Sequence, residues 1–503
     1  MNPANSAANS SSEPASFAKT VLNLPVSPAH LAAALLAGLA LRLFFVIHFP
    51  FSAGDTKFYD ELARNWLDHG VYGLFTNGRL APTDMRAPGY PAFVACIYAV
   101  FGRSGSAVLV AQAIVDLMTC VVTALIAARL APLSKRAIVA TAALWIAALC
   151  PFTANFAAVF LTEVLATFLT TLALLIFVCV LDHPFMQSRD DGAPRGLFSF
   201  VAWVVVGGAL VGLGTLVRPE TPLVLVAAGL VFCIRLRHRA DWRKLILTAS
   251  WMAVGLLLPL TPWAMRNART MGRIEFLAPR YAETEGDFIP RGFFAWTQTW
   301  MVRFEDAYLV PWRLGKGTIA AGSLPSSAFD SPAERARVEG LLNRYNSDLK
   351  MTPVLDYEFA ALARERTARH PLRTRIFIPA ARAWMIWFGP RVAFLRYSGE
   401  LWPPGERWRD SHADFATTVG FGLLNLVYVG LALVGSWACR AKSEFALLAA
   451  FILIRTAFLT HVQTVEPRYV IVCFPALLAI CAQAWAISRH SRAAAPGQTE
   501  LAS

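Results

Sequence analysis

The chain has 503 residues, of which 56% are hydrophobic and only 16% charged, well short of the roughly one-quarter charged in an average soluble domain. That balance argues against a water-soluble globular protein and for an integral membrane protein. The net charge of +13 does not point to nucleic acid, because the basic residues cluster at the ends of apolar runs and in one polar region after Trp263.

In chain order, residues 1–30 are polar and rich in Ser, Asn and Ala, and are expected to form a disordered cytoplasmic tail, as are residues 489–503. The first apolar run begins near Leu31, deep for a signal peptide and long enough to span, which predicts an uncleaved first helix. About ten segments have the length and hydropathy to cross: 31–50, 105–130, 137–151, 160–181, 198–217, 222–236, 245–263, 415–438, 445–461 and 469–488. The clusters Arg129/Lys135/Arg136, Arg189/Arg195, Arg235/Arg237/Arg239/Arg243/Lys244, Arg440/Lys442 and Arg489/Arg492 then fall on one side, the cytoplasm. The expected organisation is a transmembrane module over 31–263, with a first outer loop at 51–103. An outer-face domain at 264–414 and C-terminal transmembrane helices at 415–488 follow. The fold class is therefore an all-α integral membrane bundle with an outer helical lid.

Between the first two spans, residues 52–91 are polar and acid-bearing. Asp55 precedes an amphipathic helix pattern at Phe58, Tyr59, Leu62, Ala63, Trp66 and Leu67, which Gly70 stops. Asn77-Gly78 signals a turn, and Arg86-Ala-Pro-Gly-Tyr-Pro91 breaks any helix. A helix cap is the plain role for Asp55. Residues 91–101 are too few to span and read as interfacial. Residues 373–395, with Pro379, Arg382 and the block Trp384-Met-Ile-Trp-Phe388, read as an amphipathic helix on the outer leaflet. Within the outer domain, Ser331-Pro-Ala-Glu334 offers a capping box and Thr352-Pro353 a second helix start.

Charges within lipid need partners. Arg42 and Asp116 fall at similar depth and are expected to pair structurally, whereas Arg455 has no partner visible in the sequence. The eight cysteines lie in or beside apolar segments without metal-ligand spacing and read as small buried hydrophobes. On the outer face, two carboxylates, Asp55 and Glu163, and four arginines, Arg86, Arg218, Arg266 and Arg468, come from separate segments to one membrane boundary. Each arginine alone fits an interfacial anchor. Together they fit a site for a lipid phosphate. A divalent metal shared by Asp55 and Glu163 is an alternative, with no third ligand visible.

The order Asp55…Tyr59…Ala63…Leu67…Gly70…Tyr72, then Arg86-Ala-Pro-Gly-Tyr90-Pro91, Thr162-Glu163, Gly214-Thr-Leu-Val-Arg218-Pro-Glu220, Pro262-Trp-Ala-Met-Arg266-Asn267 and Glu466-Pro-Arg468-Tyr469 resembles the GT-C fold membrane glycosyltransferases. The likeness is to the family-39-like group of protein O-mannosyltransferases and aminoarabinose transferases. It implies a GT-C bundle in the cytoplasmic (inner) membrane that takes a sugar from a polyprenyl-phosphate donor on the outer face. It implies further that Asp55 is the catalytic carboxylate, Glu163 the acid at the start of the fourth span, and Arg86 a contact of the carrier phosphate. Arg218, Arg266 and Arg468 are further phosphate candidates, and Tyr59, Tyr90, Asn267, Glu220, Glu466 and Tyr469 complete the candidate site. Asp55 is followed by Thr56-Lys57, not by the second acid of the protein mannosyltransferases, which leaves the acceptor open among glycan, lipid and protein. A transporter or flippase is the alternative reading, but its polar groups are expected near the bilayer centre rather than at one surface.

Overall fold

The computed structural model describes residues 23–187, 196–236, 242–277, 288–392 and 394–487. Most of both tails, and the basic residues Arg189, Arg195, Arg237, Arg239, Arg489 and Arg492, lie outside the described residues. Order begins earlier than expected at the N-terminus. The first helix is Pro28–His48, with Pro28 at its first position and the Ser27 hydroxyl accepting from the His30 amide.

Among the described residues, seven helices are long and apolar enough to cross a membrane: Pro28–His48, Gly105–Leu130, Glu163–Leu181, Leu197–Thr215, Trp242–Met271, His412–Cys439 and Pro467–Ile487. The pair Leu133–Ala148 and Pro151–Ala158, bent by 46° at Pro151, makes an eighth if counted as one span. The two remaining expected spans are helical but short, Leu223–Arg235 with 13 residues and Ser443–Leu459 with 17. They pack against each other inside the bundle. At about 1.5 Å per residue, neither covers a hydrocarbon core of about 30 Å by itself. Gly89–Phe101, 13 residues long, is the short apolar helix that the sequence placed at the interface.

Two packing devices hold the bundle. Helices Leu197–Thr215 and Trp242–Met271 approach through facing glycines: a Cβ on Gly208 would stand 2.6 Å from the Met252 carbonyl oxygen, and one on Gly255 2.4 Å from that of Val205. Small residues are what let helix backbones meet this closely in lipid. The second device is the expected pair of Arg42 and Asp116. Arg42 is fully buried, and its Nε donates to Asp116 Oδ2 at 2.8 Å. Its Nη1 donates to the carbonyls of Gly38 and Ala148, which caps the bent helix from inside. Six of the eight cysteines are buried, whereas Cys96 and Cys233 lie on exposed helix faces.

The region expected on the outer face has a core of its own, built on Phe293, Trp296, Trp300, Tyr345 and Phe359 from helices Arg291–Gln298, Pro332–Asp348 and Pro353–Arg369 and the chain between them. Both expected helix starts cap as read: Ser331 Oγ accepts from the Glu334 amide, and Thr352 Oγ1 from that of Leu355. Glu334 does not close a reciprocal box on Ser331, because its carboxylate turns to Arg366 and Arg369. The expected 373–395 helix is shorter, a π-helical turn at Arg373–Phe377 and then Ile378–Phe388. Gly389-Pro390 ends it. Arg382 faces inward rather than toward lipid, donating to the carbonyls of Met301, Thr460 and Val462.

Breaking the Arg42–Asp116 pair leaves one buried charge unmatched. Asp116→Ala is expected to cost about 3–5 kcal/mol, and the double variant Arg42→Met/Asp116→Leu to regain much of that loss, as read by thermal unfolding in detergent.

Candidate functional site

The loop between the first two spans carries Asp55. Helix Thr56–His69 starts immediately after Asp55 and ends at Gly70, which takes the left-handed conformation at φ 67°. Asp55 occupies the cap position, yet its side chain makes no capping bond. Instead Asp55 Oδ1 accepts from Arg86 Nη2 at 2.9 Å. The guanidinium that the sequence placed at a phosphate thus holds the carboxylate in this structure. The chain between them forms a hairpin, Gly73–Thr76 with Arg79–Pro82, turned at Asn77-Gly78 with both residues at positive φ. The turn was legible in the sequence; the strands were not.

Three hydrogen-bonded ties fix this loop to the membrane bundle. The Thr56 hydroxyl donates to the Phe160 carbonyl at 2.9 Å, two residues before Thr162-Glu163. The Gly89 amide donates to the Leu216 carbonyl at 2.9 Å, and a Cβ on Gly89 would come within 2.6 Å of that oxygen. Only glycine lets the Arg86–Pro91 turn sit directly on the turn that carries Arg218. Tyr90, fully buried, donates its hydroxyl to Gln112 Oε1 at 2.6 Å, while Gln112 Nε2 donates to the Val159 carbonyl at 2.9 Å. Tyr90 therefore braces the site from behind, with its ring edge against Tyr59.

Glu163 opens its helix and is 2% exposed. Its Oε1 accepts from Arg218 Nη1 at 3.1 Å and stands 3.5 Å from Arg468 Nη1, while its buried Oε2 has no hydrogen-bond partner among the described residues. Arg218 Nε also donates to Glu220 Oε1 at 2.8 Å, and that same oxygen accepts from Arg455 Nη2 at 3.0 Å. Arg468 Nε donates to Glu466 Oε2 at 2.5 Å, and the Tyr469 hydroxyl bonds the other oxygen of Glu466. The result is an alternating row, Arg455, Glu220, Arg218, Glu163, Arg468, Glu466, with three charges of each sign. Arg455 thereby gains the partner that its own segment could not reveal.

Asp55, Tyr59, Glu163, Arg218, Arg468 and Tyr469 line one cavity of about 530 Å³, together with residues 461–464. Glu220 lines it too. Glu466 sits behind Arg468 and Tyr90 behind Tyr59. Arg266 and Asn267 stand apart: Arg266 donates to the carbonyls of Thr83 and Tyr72 at 2.8 and 2.7 Å, and Asn267 donates to that of Glu275. Arg266 lashes the ends of the hairpin to the end of a span while donating to Asn267 Oδ1, and neither residue lines this cavity, since those carbonyls turn Arg266 away from it. Residues 461–464 carried no signal in the sequence beyond adjoining Glu466-Pro-Arg-Tyr469.

The electrostatics follow from pairing. Burial drives the Glu220 carboxyl upward, but Arg218 and Arg455 more than offset it and lower its pKa from 4.5 to about 2. Arg218 is pushed downward by burial and held above its ordinary value by Glu220 and Glu163. Tyr59 is raised to about 12 by burial, with Asp55 adding to the shift, so its phenol stays protonated. The donor set does not suit a divalent cation. Asp55 and Glu163 each face guanidinium, and among the described residues no three His, Cys, Asp or Glu converge.

Because the folded pKa of Glu220 lies below its ordinary value, its contribution to stability is complete above about pH 4.5 and is lost as pH falls through about 2. The melting-temperature gap between the wild type and Glu220→Gln is expected to stay constant from pH 7 to about 5 and to close below that, in a detergent-solubilised pH series.

No family model and no curated protein matches the chain. Among solved structures, the chain is similar to the oligosaccharyltransferase AglB of Archaeoglobus fulgidus in complex with an inhibitory peptide and a dolichol-phosphate, at 14% identity and a TM-score of 0.48 over 91% of this chain and 49% of that one. The same archaeal enzyme in complex with Zn and sulfate gives 14% identity and a TM-score of 0.47, over 91% and 48%. ArnT from Cupriavidus metallidurans, bound to undecaprenyl phosphate, gives 15% and 0.37, over 91% and 78%. The chain spans about half the length of the archaeal structures. Both of these proteins are GT-C fold membrane glycosyltransferases, the group that the order of motifs resembles.

Proposed function

We propose that the chain is a glycosyltransferase of the cytoplasmic (inner) membrane, moving a sugar from a polyprenyl-phosphate donor to an acceptor hydroxyl on the outer face. One observation carries the reading: Asp55 and Glu163, from segments over a hundred residues apart, line one cavity with Arg218 and Arg468 at the ends of apolar helices. A carboxylate beside guanidinium groups at this depth suits a reaction that removes a proton on one side and releases a phosphate on the other.

Arg86 holds Asp55 Oδ1, and Oδ2 is left to receive a proton. As the acceptor oxygen bonds the anomeric carbon, that oxygen becomes acidic, so a carboxylate is base enough. The bond from the anomeric carbon to the lipid phosphate breaks, and the phosphate leaves with the electron pair. A single displacement inverts the anomeric configuration. Arg218 and Arg468 each keep Nη2 clear of any hydrogen bond among the described residues, and these are the donors for the departing phosphate. Glu163 keeps both guanidinium groups in place. Arg86 acts as a positioning residue for Asp55, and Arg266 with Asn267 positions the hairpin.

Transfer from a polyprenyl-phosphate sugar is the measurement. Asp55→Asn is expected to lower kcat by about 10²- to 10⁴-fold, the usual worth of a general base, with expression and donor binding retained. Near-normal turnover in that variant removes Asp55 from the reaction. Arg86→Ala is expected to lower kcat with little change in donor KM; the opposite split returns Arg86 to the carrier phosphate.

A further inference from the structure

A second, larger cavity of about 770 Å³ lies between the outer domain and the bundle. Arg291, Arg364, Arg375 and Arg382 line it together with His461, and no Asp or Glu is among its lining residues. Several other arginines of the outer domain are paired with acids. Arg337 meets Glu365, Arg344 meets Glu358, and Arg366, Arg369 and Arg373 surround Asp330 and Glu334. Arg291 and Arg375, by contrast, make no ion pair or side-chain hydrogen bond among the described residues, and Arg364 only rests on the Tyr357 ring.

Arg382 is the decisive member. It is 1% exposed, and among the described residues its Nε and Nη1 bond only carbonyls and its buried Nη2 has no partner. Burial lowers its pKa to about 10, with no carboxylate to offset the effect. A buried guanidinium without a counter-ion is costly unless an anion arrives.

The wall between the two cavities is thin. His461 lines both of them. Gln298 donates to the His461 carbonyl at 3.0 Å, and Arg382 to those of Thr460 and Val462, so the outer domain grips the strap that lines the reactive cavity.

We propose that this cavity is an acceptor subsite that seats a fixed negative charge, a phosphate or a carboxylate, and so presents a neighbouring hydroxyl across the strap to Asp55. The role as acceptor site rests on the transferase reading; the anion binding does not. Four arginines without an acid select against neutral and cationic acceptors.

The test is calorimetric titration of the full-length protein in neutral detergent with inorganic pyrophosphate as the phosphate probe and glucuronate as the carboxylate probe. Wild type is compared with Arg364→Gln/Arg375→Gln, whose side chains are both exposed and whose melting temperature is checked, and with Arg468→Gln in the reactive cavity. One probe is expected to bind the wild type, to lose at least about tenfold in affinity in the double variant, and to be little affected by Arg468→Gln; the stronger probe names the anion. Unchanged affinity in the double variant overturns the proposal, as does loss confined to Arg468→Gln. If the arginines serve lipid headgroups instead, the double variant retains less phosphatidylglycerol by native mass spectrometry while pyrophosphate affinity is unchanged, which also overturns it. Absence of transfer by the wild type from a polyprenyl-phosphate sugar would sink the transferase reading and leave the titration result standing.

Discussion

The site depends on one constraint: charge set among apolar helix ends must be matched, because unpaired ions in a low-dielectric surrounding are too costly to keep. The row from Arg455 through Glu220, Arg218, Glu163 and Arg468 to Glu466 meets it with equal numbers of each sign. Its members come from two helices and two turns, so the row also sets where those segments stand. Removing any one of them leaves a neighbour exposed to that cost. The row is therefore scaffold and site together, and its inner faces open onto the cavity while its outer members look into protein.

What was legible in the sequence follows from how local each cause is. Hydropathy placed every long span, since the need for about 20 apolar residues is met within one segment. Gly70, Asn77-Gly78, Ser331 and Thr352 act through their own backbone and a few neighbours, and each behaves as read. The pairing of Arg42 with Asp116 was also visible, because two ions of opposite sign at one depth have few alternatives.

What was hidden depends on distant partners. Arg455 meets Glu220 across 235 positions of chain. Arg266 looks like any other arginine at a helix end until the hairpin places two carbonyls against it. The amphipathic pattern around Arg382 suggested a lipid surface, but that side chain turns to the Met301 carbonyl and to those of Thr460 and Val462, two from a segment some eighty residues further along the chain. Helix count is a middle case: periodicity found Leu223–Arg235 and Ser443–Leu459, while only the structure shows them as short helices packed on each other within the bundle.

Gly89 has a mechanical consequence. Its amide and its missing side chain set the first loop directly on the Leu216 carbonyl, so the Asp55–Arg86 unit and the turn bearing Arg218 form a single rigid jaw. No hinge can lie between them. The other wall of the cavity, residues 461–464 held by Gln298 and Arg382, lies outside this tie.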